Sequence, residues 1–140
     1  MTAETFDELV ENFELFDDWE ERYRYVIDLG KQMPDFPEEM KSDATLVEGC
    51  VSRVWLDEKV SGEGADAIIE FSGDSDAFIV KGLIAVLQTL FSGQTAQKIL
   101  DTDVSQELSR IDLSAHLSPQ RSNGLNAMVG RIKGFAKSQV

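Results

Sequence analysis

The sequence predicts an α+β fold in which a small antiparallel sheet packs against helices. Three patterns carry this expectation. Apolar residues recur at helical spacing from Phe6 to Gly30. Two segments with strand-like alternation flank a glycine-rich turn, and a long, almost wholly apolar stretch follows them, as in the buried central helix of a small domain.

The elements follow in chain order. Thr5 and Glu8 have capping-box spacing ahead of Phe6, Leu9, Val10 and Phe13, which share a helix face. Asp18 and Glu21 offer a second cap. Tyr23, Val26, Ile27 and Gly30 then line a helix that Pro34 terminates. The short join between the two predicts an αα-hairpin. From Leu46 the period changes. Val54 and Leu56 alternate with Arg53, Trp55 and Asp57, Ser61-Gly62-Glu63-Gly64 reads as a turn, and Ile68, Ile69 and Phe71 supply a second strand ended by Gly73-Asp74. Leu46 and Val47 suggest a further short strand. Asp74 or Ser75 is the expected cap of the apolar helix, which runs to about Ser92. Gly82 within it costs about 1 kcal/mol relative to alanine, and close packing against a neighbour would offset that. Short helices are expected over 95–117, with Thr95 and Ser105 as caps. Ser122 is the expected cap of the last helix, which places Leu125, Met128, Val129, Ile132 and Phe135 on one face. Arg131, Lys133 and Lys137 sit towards its C-terminus, where the helix dipole favours cations. No internal repeat or low-complexity linker interrupts residues 1–140, so one domain is expected.

Composition narrows the function. The chain has 140 residues, 42% of them hydrophobic, enough for one core. No run of about 18 apolar residues exists to span a membrane. The acidic, amphipathic segment from Met1 to Phe16 lacks the basic and apolar regions of a signal peptide, so a cytoplasmic location is expected. The net charge is -13, and residues 1–50 hold 15 Asp+Glu against 4 Lys+Arg. Such acidity repels phosphate backbones and anionic membrane surfaces, so neither nucleic acid nor membrane is an expected partner. It maintains solubility, and it can also steer a protein partner. With one cysteine and one histidine, the chain lacks the roughly four ligands that structural zinc or an iron–sulfur cluster requires. An intramolecular disulfide is impossible, and a lone thiol suits a reducing compartment.

Cys50 is the main candidate for chemistry. A free cysteine taken alone is most often a small buried hydrophobe. Gly49, however, precedes it at a break between two apolar segments, where glycine permits a tight bend and projects the next side chain from a loop. A thiolate at a loop tip can enter another protein's active site, which suits transfer chemistry.

Glu48-Gly49-Cys50-Val51-Ser52-Arg53-Val54-Trp55 closely resembles the cysteine motif of the SufE family. Gly73-Asp74-Ser75-Asp76 with Ile79-Val80-Lys81-Gly82-Leu83 resembles its second motif. His116-Leu117-Ser118-Pro119 with Arg121-Ser122-Asn123-Gly124-Leu125 resembles its third, with Asn123 where many members have glutamine. Trp19-Glu20-Glu21-Arg22-Tyr23 and Leu29-Gly30 match its early helix. The matches stand in family order over nearly the whole chain. The resemblance implies a SufE/IscU-like α+β fold and a sulfur acceptor that stimulates a SufS-type cysteine desulfurase, or a paralogous CsdA-type one. It implies no resident cofactor or metal, since pyridoxal phosphate belongs to the desulfurase and no phosphate-cradling glycine loop is apparent here. Cys50 would take persulfide sulfur by the logic of thiol–disulfide exchange and pass it to a downstream iron–sulfur scaffold. The chain would be a sulfur-transfer accessory rather than an enzyme.

Other polar residues admit two readings each. Arg121 supports the Cys50 thiolate if the fold brings them together, or makes a helix-start or interface contact. His116 is a proton carrier or, more simply, a hydrogen-bonded structural histidine. Asp74 is expected to cap a helix with Asp76 in its first turn. Glu48 and Arg53 flank the cysteine as loop or partner contacts, and Trp55 is expected to pack on the sheet. Two alternative functions remain open. A Cys50–His116 nucleophilic enzyme lacks a recognisable third residue. A cluster scaffold lacks the cysteines.

Overall fold

The computed structural model describes residues 5–49, 52–113 and 116–140. Helix α1 (Phe6–Glu14) begins at Thr5, whose hydroxyl accepts from the Glu8 N–H at 3.2 Å. Helix α2 (Trp19–Lys31) begins at Asp18, whose carboxylate accepts from the Glu21 N–H at 2.8 Å. Both caps stand where the sequence places them. Each satisfies an N–H that the first helical turn leaves without a backbone partner.

Strands β1 (Val54–Ser61) and β2 (Ile68–Ser75) pair antiparallel, from Val54 opposite Ser75 to Ser61 opposite Ile68. Leu46 forms an isolated antiparallel bridge to Trp55 rather than a strand. A short β3 (Gln94–Thr95) pairs with β2 and completes a three-stranded sheet in the order β1-β2-β3. β2 runs past Gly73-Asp74 to Ser75, so the helix that follows starts later than expected. Helix α3 (Phe78–Phe91) has Ala77 at its N-cap and no side-chain cap. The Asp74 carboxylate is drawn instead into ion pairs, and the Ser75 hydroxyl donates to the Arg53 carbonyl at 2.7 Å.

Helix α3 is the buried centre. Its Leu83, Ile84 and Leu87 have at most 1% exposure, and each such side chain contributes about 1.5–3 kcal/mol by leaving water. Two glycine contacts let it lie close to its neighbours. A Cβ on Gly82 would press into the Val26 carbonyl of α2, and one on Gly73 would stand 2.8 Å from Leu56 Cδ2 and 3.0 Å from Ile84 Cγ2. The expected close packing at Gly82 is therefore present, against α2.

Helices α4 (Ala96–Asp101) and α5 (Val104–Ser109) are short. Thr95 caps α4 as expected, but Asp103 rather than Ser105 caps α5. Helix α6 (Pro119–Gln139) is capped by Ser118, which accepts from the Arg121 N–H at 3.2 Å, and not by Ser122. Pro119 explains the shift. Its fixed φ suits the first helical position, and it has no N–H to leave unsatisfied there. Ser122 is thereby drawn into the first turn, and its N–H bonds the Ser118 carbonyl.

Candidate functional site

The cysteine loop hangs between two anchored limbs. On the incoming limb the Val47 N–H donates to the Val54 carbonyl, and the Leu56 N–H donates back to Thr45, both at 2.8 Å. Val47 and Val54 are buried at this base. The Thr45 hydroxyl, also buried, donates to the Met40 carbonyl at 2.7 Å and fixes the approach to the loop. On the outgoing limb the Arg53 N–H donates to the Asp76 carboxylate at 3.1 Å. The Arg53 carbonyl accepts from the Ser75 hydroxyl and the Asp76 N–H. Asp76 thus holds the loop rather than serving only the start of α3.

Glu48 and Gly49 are exposed between these limbs. Gly49 has φ 91°, a region that side chains with a Cβ rarely occupy, and a Cβ there would meet the Ala127 Cβ of α6 at 3.4 Å. Cys50 and Val51 lie outside the described residues. Immediately after them, Ser52 lines a cavity of about 310 Å³ with Val54 of β1, Val80 and Leu83 of α3, and Arg121 and Met128 of α6. Its wall is mixed, with Val54, Val80, Leu83, Leu125 and Met128 apolar and Ser52, Ser118, Gln120 and Arg121 polar. Arg121 stands in the first turn of α6, where the helix dipole adds positive potential. Among the described residues, the guanidinium groups of Arg53 and Arg121 make no ion pair or hydrogen bond, whereas those of Arg22, Arg24, Arg110 and Arg131 all do.

Asp74 ties the pre-loop segment to α3. Its carboxylate lies 3.1 Å from Lys41 Nζ and 3.3 Å from Lys81 Nζ, and accepts from the Ser75 N–H at 2.8 Å. Burial pushes its carboxyl upward, but hydrogen bonds from Lys41, Ser75 and Lys81 outweigh this and hold it below the ordinary carboxylate range. The hydrogen bonds to Glu38 and Asp74 raise Lys41 correspondingly. Lys41 Nζ also sits 4.8 Å from the centroid of the Trp55 ring, so Trp55 is partly covered on the sheet.

His116 is placed elsewhere. Its ring stacks on Trp19 at 3.8 Å, its Nε2 lies 3.5 Å from the Asp112 carboxylate, and its carbonyl accepts from the Tyr23 hydroxyl. It does not line the cavity beside Ser52. These contacts set the ring against α2.

Two site-supporting residues escaped the sequence reading. Arg131 was expected to complement the helix dipole, but its guanidinium reaches across to the base of the loop and pairs with Glu58 of β1 at 3.0 Å. Glu58 did carry a signal. It shares the inward face with Val54 and Leu56 at period two, and a carboxylate on a buried strand face requires a cation. No group of three or more His, Cys, Asp or Glu among the described residues is arranged to hold a metal ion. No helix among them is long and apolar enough to cross a membrane.

Known proteins resemble this chain over its length. The family model for SufE, the Fe-S metabolism associated domain, matches residues 7–136. An uncharacterised SufE-like protein of Rhizobium meliloti (strain 1021) is 42% identical over 136 residues, spanning 97% of both chains. Another, from Rhizobium etli, is 46% identical over 133 residues, spanning 95% of this chain and 90% of that one. The fold is also that of a hypothetical protein from Thermus thermophilus solved in solution, with a TM-score of 0.74 and 17% identity over 99% of this chain and 98% of the other. Motif order, an α+β architecture with a small antiparallel sheet, and a family match across nearly every element lead to one conclusion: the chain belongs to the SufE family, whose domain is associated with iron–sulfur metabolism.

Proposed function

We propose that this protein is a cytoplasmic sulfur acceptor and carrier, acting as one domain, which takes persulfide sulfur from a SufS-like cysteine desulfurase onto Cys50. It stimulates that enzyme and delivers the sulfur to a downstream iron–sulfur scaffold. The observation that carries this reading is the setting of the only cysteine in the chain. It follows Gly49 in a loop whose limbs are pinned at both ends, and Ser52 of that loop borders a cavity that Arg121 lines.

The Cys50 thiolate attacks the terminal sulfur of the desulfurase persulfide. A new sulfur–sulfur bond forms on Cys50, the old one breaks, and the desulfurase cysteine leaves as a thiolate. No electrons are gained or lost overall, so no redox cofactor is required. Cations favour the thiolate and the persulfide anion by charge. Arg121, whose guanidinium is otherwise uncommitted among the described residues and which lines the cavity beside Ser52, is suited to that role; Arg53, which lines a separate pocket with Lys41 and Trp55, is suited with Glu48 to loop support or partner contact. The absence of His116 from the cavity lining gives no support to a Cys50–His116 hydrolytic pair.

Intact mass spectrometry tests the reading. After incubation with a desulfurase and free cysteine, the chain should gain the mass of one sulfur atom and lose it under reductant. Cys50→Ser should gain nothing. Equal loading of the serine variant sinks the proposal.

A further inference from the structure

We propose that Arg131 is a positioning residue for the Cys50 loop, clamping both limbs of its base to α6. The proposal rests on the sulfur-acceptor reading for its consequence in transfer, though not for its geometry. From the incoming limb, the Ala44 carbonyl accepts from Arg131 Nη2 at 2.8 Å and the Leu46 carbonyl from Nη1 at 3.2 Å. From the outgoing limb, the Leu56 carbonyl accepts from Nη2 at 3.0 Å. The Glu58 carboxylate completes the set, with Nε at 3.1 Å from Oε2 and Nη2 at 3.0 Å from Oε1.

These acceptors belong to the two segments that the Leu46–Trp55 bridge joins. That bridge is short, so two limbs resting on it alone would open easily. One guanidinium bonded to carbonyls on both sides resists that opening. The Glu58 side chain is 8% exposed and that of Arg131 is 24% exposed, so the carboxylate requires its cation and holds the guanidinium in place. Ala127, one turn earlier on the same face of α6, approaches Gly49 in the loop. The helix that presents Arg121 to the cavity therefore also fixes the loop's height and register.

Lysine cannot replace this arrangement. Its ammonium is a point donor and does not span separated carbonyls as a planar fork with five N–H groups does. Arg131→Lys should keep much of the charge pairing with Glu58 while releasing the backbone carbonyls. The direct readout is amide hydrogen exchange at Val47 and Leu56, whose N–H groups make the bridge. In Arg131→Lys both should exchange about tenfold faster or more relative to Leu83 and Ile84 in α3. The maximal rate of sulfur transfer from a preloaded desulfurase should fall, with little change in KM.

If Arg131→Lys does not fold, the double variant Arg131→Met, Glu58→Met removes both charges together, a change that cores commonly tolerate. The same selective exchange is expected in it. Unchanged exchange at Val47 and Leu56, or acceleration equal to that of α3, overturns the assignment of Arg131 even if wild-type Cys50 takes up sulfur. Failure of wild-type Cys50 to take up sulfur sinks the acceptor reading while leaving the exchange result to stand on its own.

Discussion

Replacing Gly49 with alanine separates the shape of the cysteine loop from the stability of the fold. The residue has φ 91°, and its Cβ would meet the Ala127 Cβ at 3.4 Å, an ordinary contact. The cost is therefore conformational, and an L-residue held in left-handed backbone costs about 1–2 kcal/mol. If the loop keeps its shape, the whole cost appears in unfolding and lowers the melting temperature by about 3–8 °C. If the loop relaxes, the cost appears as a loss of the transfer-competent geometry, by a factor of about 5–30. Both losses draw on one strain, so the stability change and the logarithm of the rate ratio together should amount to about 1–2 kcal/mol. The assay pairs denaturant unfolding with single-turnover sulfur transfer from a persulfide-loaded desulfurase. Gly64→Ala is the control. That glycine has φ 72° with nothing within 4 Å of an added Cβ, and it lies in the distant turn between β1 and β2. It should lose comparable stability and no transfer rate. A Gly49→Ala protein with wild-type stability and wild-type transfer would refute the reasoning.

Three further outcomes are expected. Cys50 is expected to alkylate slowly in the free protein if its loop shields the thiol among apolar side chains such as Val54, Val80 and Leu83, away from the Arg121 guanidinium, and a catalytically inactive desulfurase that draws the loop out should accelerate the reaction; a free-protein rate equal to that of an unfolded peptide rules out this guarding. Asp74→Asn should cost about 1–3 kcal/mol near neutral pH by removing the negative charge that strengthens the contacts to Lys41 and Lys81. Because the folded carboxyl lies below its ordinary value, this advantage of the wild type is present above that value and is lost as pH falls through the depressed one; a wild-type-to-variant gap that persists to strongly acid pH would contradict the ion-pair assignment. Desulfurase affinity should weaken as salt rises, mainly through the association rate, because residues 1–50 hold most of the net charge of -13. An isotherm indifferent to salt would restrict the acidic face to solubility.

Features that depend on neighbours along the chain are legible in the residues alone. Helical periodicity and the caps at Thr5, Asp18 and Thr95 are local hydrogen-bond and burial patterns, and they stand in the structure as the residues dictate. The apolar run from Ile79 to Phe91 could only be central, and ordered motifs from Trp19 to Leu125 identified the family. The two caps expected elsewhere were lost to nearby residues with stronger local claims. Asp103 competed with Ser105, and Pro119 pulled the start of α6 back to Ser118. Packing between distant segments set the rest. Asp74 offers the same carboxylate to a helix N-terminus or to a lysine, and only the approach of Lys41 and Lys81 turned it to the ion pair. His116 stacks on Trp19 because α2 passes that segment. Arg131 is a cation on a helix until α6 crosses the loop base and sets carbonyls from residues 44, 46 and 56 within reach of one guanidinium. Contacts between residues so far apart in sequence depend on how elements pack in space, and no period or spacing along the chain encodes them.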